Sequence, residues 1–352
     1  MHYKYNLLLA AAALIIFSCH NNSQDNNISI SPEAGTSYKA GDKVTVKTHY
    51  SADSKPDSLV YLVDSVKVGV SKDSTGLILK TDTMPLGARI ITARVYKDGK
   101  NQEISTNIVL LAASPPEQYT YKVIKTFPHD TSSYTEGLQY ADGVLYESTG
   151  NYGHSTIRKS DLNTGKALQM TRLDSKYFGE GIAVVDNKVI QMTYREKVGF
   201  VYDGSSLKLL NTFKNYVGVE GWGMCSDGKK LYFDDSTNRI WFLNKDNYRQ
   251  TGFIEVYDDK QAVNDINELE YIDGKLYANV YTKDTILVIN PKTGAVLQRV
   301  DMKNLWPNAD RPANFDYLNN VLNGIAWDEK GKRLFVTGKK WPHVYQVEFI
   351  KK

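Results

Sequence analysis

The sequence has few cysteines and histidines and no block of positive charge. Cys19 and Cys225 are the only cysteines in 352 residues, so a disulfide framework is excluded and the core alone must stabilise the fold. The 43 Lys and Arg side chains nearly balance the 40 Asp and Glu, which excludes the electrostatic footprint of a nucleic-acid-binding protein. His129, His154 and His343 show no paired ligand spacing, which argues against a zinc site.

The longest apolar run lies at the N-terminus and is too short for a comfortable membrane span. It extends from Leu7 to Phe17 after Lys4 and has the length of a signal-peptide hydrophobic region. Ser18 then precedes Cys19, an arrangement that resembles a bacterial lipobox. We therefore expect residues 1–18 to be a lipoprotein signal peptide. Lipid on Cys19 would anchor the exported protein to a bacterial membrane, on its periplasmic or cell-surface face. An ordinary signal peptide cleaved nearby is the alternative.

The next part of the chain predicts a linker and a small β domain. Residues 19–27 are polar and rich in Asn, as in a flexible linker. Residues 28–113 contain alternating runs such as Val44–Thr48 and Ile90–Tyr96, separated by turn signals. About seven such strands predict an immunoglobulin-like β-sandwich without its disulfide. No His, Cys or carboxylate cluster occurs there, so we expect a spacer or docking module.

Residues 118–352 contain five repeats of one pattern. Each repeat opens with a polar residue, usually Glu, and continues with Gly or Leu, an apolar strand, a turn rich in Asp and Gly, and a second strand. The anchor positions 137, 181, 221, 269 and 324 lie 44, 40, 48 and 55 residues apart. This period fits four antiparallel strands per repeat. The sequence therefore predicts an all-β chain that ends in a five-bladed β-propeller, with a stacked β-solenoid as the alternative.

In a propeller the first strand of each blade lines the central channel, so the residues that open these strands would converge at one channel mouth. Strand capping and hydrogen bonding between blades is the alternative role for each of them. Carboxylates crowded in an apolar channel should have raised pKa values, and a Glu tuned in this way can accept and return a proton. The expected group is Glu136, Glu180, Glu220, Asn267, Glu268, Glu270 and Asn323.

Several ordered motifs between Tyr119 and Phe349 indicate a family. In this order and spacing they resemble the plant-type, or papaya-type, glutaminyl-peptide cyclotransferases, which convert an N-terminal Gln into pyroglutamate and release ammonia. The resemblance implies a propeller enzyme that acts on peptide or protein N-termini and requires no cofactor. The motifs include Tyr134-Thr135-Glu136-Gly137, Phe178-Gly179-Glu180-Gly181, Glu220-Gly221-Trp222-Gly223, Ile266-Asn267-Glu268-Leu269-Glu270 and Thr337-Gly338-Lys339-Lys340-Trp341.

The resemblance also implies roles for nine residues. Glu180 would be the general acid/base, and Asn267 and Lys339 would hold the substrate and stabilise the developing oxyanion. The family carries an amide at the place of Glu136 and Trp at the places of Tyr194 and Tyr281, so this chain departs from the pattern at three positions. The residues implied to bind substrate are Tyr134, Glu136, Phe178, Tyr194, Trp222 and Tyr281.

Two other classes of function fit the residues. One is a non-catalytic cell-surface propeller that binds a peptide or glycan. The other is a metal-dependent hydrolase of the lactonase type, because ringed Glu and Asn side chains suit a hard cation. A structural Ca²⁺ in the channel is compatible with either the enzyme or the binding protein, and no residue is assigned as a metal ligand. We expect a monomer with peptide N-termini as substrate, a membrane contact through the anchor and no nucleic-acid partner.

Overall fold

The computed structural model describes residues 28–352, and nearly all regular structure in that range is strand. The only helices in the described range are two single 3-10 turns, Ala52–Ser54 and Asn308–Asp310. No helix between residues 28 and 352 is long and apolar enough to span a membrane. The predicted signal peptide, the lipidation site Cys19 and the linker 19–27 lie outside the described residues.

The N-terminal strands form two sheets around one apolar core. One sheet has the order β1-β3-β6 and the other the order β2-β8-β7-β4-β5. Val44, Tyr61 and Ile91 are completely buried between the sheets, and Tyr61 Oη lies 3.1 Å from Thr48 Oγ1. The immunoglobulin-like topology stays a prediction. The strands are β1 (Ser29–Ser31), β2 (Thr36–Lys39), β3 (Val44–His49), β4 (Ser58–Val63), β5 (Val66–Ser71), β6 (Leu77–Leu79), β7 (Gly87–Lys97) and β8 (Lys100–Leu111).

Four blades of the propeller are four-stranded antiparallel sheets whose strands pair in chain order. Blade one contains β10 (Thr135–Ala141), β11 (Val144–Thr149), β12 (Thr156–Ser160) and β13 (Ala167–Arg172). Blade two contains β14 (Gly179–Val185), β15 (Lys188–Thr193), β16 (Val198–Asp203) and β17 (Leu209–Lys214). Blade three contains β18 (Met224–Ser226), β19 (Lys230–Asp234), β20 (Arg239–Asn244) and β21 (Gln250–Glu255). Blade four contains β22 (Ile266–Ile272), β23 (Lys275–Val280), β24 (Thr285–Ile289) and β25 (Val296–Asp301).

The fifth blade joins the two ends of the propeller. It combines β26 (Leu322–Asp328), β27 (Arg333–Gly338) and β28 (His343–Lys351) with β9 (Glu117–Pro128), the first strand after the sandwich. β9 pairs antiparallel with β28, and its first residues also pair parallel with β25 of blade four. The first strands β10, β14, β18, β22 and β26 are neighbours around a closed ring. The predicted five-bladed propeller is confirmed, and β9 is the strand that the repeat did not indicate.

The predicted Asp-Gly hairpins occur in two blades with the expected backbone. The pairs Asp142-Gly143 and Asp273-Gly274 have positive φ at both residues, as a two-residue type I′ turn requires. In the third blade only Gly228 of the Asp227-Gly228 pair has positive φ. The Asp-Gly pairs therefore predicted where the hairpins lie, but the backbone conformation of the turn differs between blades.

The meander topology determines which loops surround the site. First strands start, and second strands end, at the same end of every blade, because neighbouring strands are antiparallel. The connections between blades and the loops after each second strand therefore share one face, which we call the mouth face. The longest of these connections runs from residue 302 to residue 321, between β25 and β26.

Truncation of an apolar side chain on β9 should destabilise the propeller, because β9 closes the ring. Phe127 is 3% exposed, and its ring lies 5.9 Å from that of Phe335 on β27. We expect Phe127→Ala to lower the free energy of unfolding by about 3–5 kcal/mol. The measurement is chemical denaturation followed by fluorescence. Leu168→Ala, on the exposed outer strand β13, is the control and should change stability little. An equal loss in both variants would contradict this account of closure.

Candidate active site

A pocket of about 230 Å³ opens on the mouth face over the central channel. A larger cavity of about 470 Å³ lies between blades four and five near the hairpins of the opposite face, where it contains none of the predicted site residues. The structure therefore brings together in one pocket the nine residues that the sequence singled out. They are Tyr134, Glu136, Phe178, Glu180, Tyr194, Trp222, Asn267, Tyr281 and Lys339.

Irregularities at the start of the first strands aim the polar residues into the channel. The pairing register shifts between Thr135 and Gly137 in blade one and between Gly179 and Ile182 in blade two, so Glu136 and Glu180 lie in β-bulges. Blades four and five have equivalent shifts. Bulges re-aim side chains and often adjoin active sites. In blades one, two and five the sequence signal is a polar residue followed by Gly.

Gly181, the residue after Glu180, lies where two blades touch and leave no space for a side chain. Its N–H donates to the Trp222 carbonyl at 2.7 Å, so the backbones of blades two and three touch. A Cβ at this position would lie 2.4 Å from both Trp222 O and Met224 N. Glycine is therefore required for close approach of two blades, and this approach holds Glu180 beside Trp222 in the pocket.

Lys339 and Glu136 form a buried ion pair between blades five and one. Lys339 Nζ lies 2.7 Å and 2.8 Å from the two carboxylate oxygens, and both residues are almost completely buried. Burial lowers the pKa of Lys339, but the carboxylate of Glu136 outweighs this effect, and the pKa is raised overall. Lys339 therefore stays cationic although it is buried. The next residue, Lys340, is exposed.

Glu180 occupies the pocket without a hydrogen-bond partner. It is 4% exposed, and its carboxyl group makes no hydrogen bond to any residue in the described part of the chain. Burial raises its pKa well above the ordinary value, and the nearby carboxylate of Glu136 adds to the rise. The Lys339 ammonium opposes both effects. Glu180 is thus a carboxyl group with a raised pKa that is free to contact a ligand.

Aromatic rings form the walls of the pocket. Phe178 packs against Tyr134 and Tyr194, with ring centroids 6.3 Å and 5.5 Å apart. Trp222 packs edge-on against Tyr281 at 5.4 Å. Burial raises the pKa of Tyr134 to about 12, so its hydroxyl stays protonated. Tyr194 and Tyr281, which stand where the family has Trp, therefore still provide aromatic walls.

Asn267 and Asp234 present buried atoms without partners near the pocket. Within residues 28–352, neither Asn267 Oδ1 nor Asp234 Oδ2 has a hydrogen-bond partner. Asp234 Oδ1 accepts from the Gly223 N–H at 3.1 Å, and the charge of Asp234 further raises the pKa of Glu180. Sequence reasoning missed Asp234. Its signal was a carboxylate at the buried end of strand β19.

Of the seven polar residues expected at one channel mouth, three line the pocket and four do not. Glu268 bonds to the backbone N–H groups of Leu138 and Ile325, at 3.0 Å and 2.8 Å, and thereby ties blade four to blades one and five. Glu270 accepts from the Trp327 N–H at 2.9 Å. These carboxylates satisfy buried backbone donors, which was the alternative role. Two further members, Asn323 and Glu220, also lie outside the pocket lining.

Asn323 and Glu220 support the pocket from outside. Asn323 Nδ2 donates to the Thr135 carbonyl at 3.0 Å and holds the bulge that carries Glu136. Glu220 accepts from Trp222 Nε1 at 3.1 Å and pairs with Arg195 at 2.8 Å. Glu220 therefore orients an aromatic wall. Among the described residues, no three His, Cys, Asp or Glu side chains form a group that could hold a metal ion.

A double-mutant cycle should detect the coupling of Lys339 and Glu136. Removal of one member leaves the other buried without its counter-charge, so Lys339→Met and Glu136→Gln should each cost about 3–5 kcal/mol. The double variant should cost less than the sum by at least about 1 kcal/mol, measured by chemical denaturation. The exposed pair Lys332–Glu329, 2.6 Å apart, is the control and should show no measurable coupling. Additive losses at the buried pair would contradict the description.

Comparison with known proteins agrees with the geometry. Residues 94–349 match the model of a family described as glutamine cyclotransferase. A glutaminyl-peptide cyclotransferase of Arabidopsis thaliana is 38% identical over 228 residues, 64% of this chain and 70% of that protein. The crystal structure of Myxococcus xanthus glutaminyl cyclase has a TM-score of 0.62 and 32% identity, covering 67% of this chain and 99% of that one. The chain belongs to the glutamine cyclotransferase family.

Proposed function

We propose that this chain is a glutaminyl-peptide cyclotransferase in which Glu180 is the general acid/base. The observation that supports this role is a single carboxyl group that is buried, has a raised pKa and carries no hydrogen-bond partner in the described structure. A catalytic acid/base works best when its pKa lies near the working pH. The family and the relatives supply the reaction, and the pocket supplies the group that this reaction needs.

The reaction closes a five-membered lactam within one residue. The α-amine nitrogen of an N-terminal Gln attacks the carbon of its own side-chain carboxamide, and the carbonyl oxygen gains negative charge. Glu180 accepts the proton that the amine loses and delivers a proton to the carboxamide nitrogen. The bond from carbon to that nitrogen then breaks, and ammonia leaves. An amide nitrogen is a poor leaving group unless protonated, and the proton that Glu180 accepts from the amine is the one it can deliver to this nitrogen.

Lys339 and Asn267 have complementary tasks in this proposal. The Lys339 ammonium is cationic and fixed by Glu136, so it can stabilise the oxyanion without rearranging when the charge develops. Asn267 Oδ1 is a buried acceptor without a partner among the described residues, and it suits the N–H groups of the substrate amine or carboxamide. Together they would orient both reacting groups of one Gln.

The aromatic walls limit what enters the pocket. Phe178, Tyr134 and Trp222 exclude water and present ring faces to the aliphatic part of the Gln side chain. Glu136 replaces the amide found in the family motif, but its charge is already paired with Lys339. This substitution therefore adds a fixed ion pair rather than a free carboxylate.

The proposal includes a location outside the cytoplasm. Its support is the apolar run Leu7–Phe17 followed by Ser18-Cys19, which suits export and lipidation at Cys19. The sandwich of residues 28–113 would then separate the propeller from the membrane. No cofactor takes part in the proposed steps, and a structural Ca²⁺ in the channel remains a prediction.

Conversion of a Gln-initiated peptide tests the function. We expect the purified protein to release ammonia and form pyroglutamate, detected as a mass loss in mass spectrometry, in the presence of a chelator. Glu180→Gln keeps the shape of the side chain but removes its proton chemistry, so kcat should fall about 10²- to 10⁴-fold. Glu348→Gln, the same change on the exposed face of β28, is the matched control.

The same assay separates the alternatives. A peptide-binding propeller would retain binding in Glu180→Gln and show no turnover in either form. A metal-dependent hydrolase would lose its activity on addition of the chelator. Full turnover by Glu180→Gln would exclude Glu180 as the acid/base, whatever the reaction.

A further inference from the structure

Exposed apolar side chains of the propeller are concentrated on the mouth face. Five large ones project from loops there: Tyr152 on blade one, Tyr216 and Val219 between blades two and three, and Tyr317 and Leu318 on the long connection 302–321. In the described propeller, the other exposed large apolar side chains lie on the third and fourth strands of the blades, and none lies on a hairpin of the opposite face. An exposed apolar patch beside a pocket indicates a contact surface.

The size of the pocket requires such a surface. Its volume of about 230 Å³ is below the ~300–1,000 Å³ of pockets that bury whole drug-sized ligands. A pocket of this size suits a single residue, so the rest of the substrate chain would leave across the mouth face. The second residue of a peptide therefore contacts the loops that border the pocket.

Aromatic contacts lead continuously from the pocket to one part of the mouth face. The ring of Phe178, a pocket wall, lies 5.4 Å from the ring of Tyr152. Tyr152 Oη donates to Glu196 Oε1 at 2.7 Å. The ring is therefore held at two points, yet half of its surface is exposed. A rigid aromatic side chain of this kind loses little entropy when a ligand packs on it.

The charged side chains around Tyr152 sum to zero net charge. Arg195 lies 2.8 Å from Glu220, and Lys197 Nζ donates to the carbonyls of Gly218 and Val219. Glu196 accepts from Tyr152 through Oε1, and its Oε2 has no hydrogen-bond partner among the described residues. This part of the mouth face, which we call the Tyr152 rim, consists of Tyr152, Arg195, Glu196, Lys197, Val219 and Glu220. It offers an exposed aromatic ring and no net charge.

We propose that the Tyr152 rim is the binding subsite for the second residue of the substrate and that the ring of Tyr152 selects an apolar or aromatic side chain there. This inference rests on the proposed function and adds the substrate class: peptides in which an apolar residue follows the N-terminal Gln. Tyr152 determines specificity and takes no part in the proton transfers.

Three substrates test the proposal: glutamine amide, Gln-Phe-Ala-amide and Gln-Ser-Ala-amide. Glutamine amide fills the pocket and does not reach the rim, so it reports the chemistry alone. We expect kcat/KM of the wild-type protein to favour the Phe peptide over the Ser peptide about fivefold to tenfold, as one aromatic contact provides. In Tyr152→Ala this ratio should fall to about one, and in Tyr152→Phe, which keeps the ring, it should persist.

Tyr317→Ala is the matched control, because Tyr317 is a comparably exposed tyrosine on the long connection 302–321 and not part of the rim. It should retain the preference for Phe. The ratio is measured within one preparation, so a lower fraction of folded protein does not affect it. A wild-type ratio near one, or a ratio that is unchanged in Tyr152→Ala, would overturn the proposed subsite. Turnover of glutamine amide in the same experiment would still support the proposed function. No turnover of glutamine amide by the wild type would overturn the function and the rim with it.

Discussion

The ion pair between Lys339 and Glu136 is the contact on which the site depends. It bridges blades five and one, the place where the ring of blades closes. Burial of two charges is costly unless geometry and hydrogen bonds compensate, so the pair holds only in a ring that is fully closed. The strand β9, which completes blade five, therefore contributes to the active site although none of its side chains lines the pocket.

The pair also sets the electric field at Glu180. Burial raises the pKa of Glu180, the carboxylate of Glu136 raises it further, and the ammonium of Lys339 lowers it. An unpaired Lys339 would favour the ionised form of Glu180, and an unpaired Glu136 would favour the neutral form. The ion pair thus leaves burial as the main effect and places a fixed cation where the oxyanion is proposed to form. One contact provides both the acid/base behaviour and the electrostatic stabilisation.

The sequence predicted the residues that line the pocket but not the contacts that hold them in place. The repeat with a polar residue before Gly or Leu predicted the first strands, and the resemblance of the motifs to a family implied all nine pocket residues, because each motif spans only a few positions. The pairing of β9 with β28 joins residues more than 200 positions apart, and no local pattern specifies it. Glu268 and Glu270 open a first strand as Glu180 does, yet they bond to backbone N–H groups of other blades. Their roles depend on which backbone groups lie opposite, and this is known only after the ring closes.

The departures from the family motif are explained by the same geometry. Glu136 stands where the family has an amide, and the structure shows it paired with the lysine of the adjacent blade. Tyr194 and Tyr281 stand where the family has Trp, and both still pack on the aromatic walls at Phe178 and Trp222. The pocket keeps its aromatic enclosure and its single unpaired carboxyl group. The chain therefore has the groups that the proposed chemistry requires.

A direct titration of Glu180 tests the central claim that the surroundings of this carboxyl group raise its pKa. The infrared difference spectrum between the wild type and Glu180→Gln isolates the carboxyl band of this one residue. The account predicts that Glu180 titrates above the ordinary Glu value of about 4.3, because burial and the charge of Glu136 raise its pKa. It also predicts titration at lower pH in Glu136→Gln, which removes a charge that raises the pKa. Titration of Glu180 in the wild type at or below the ordinary Glu value would contradict the account.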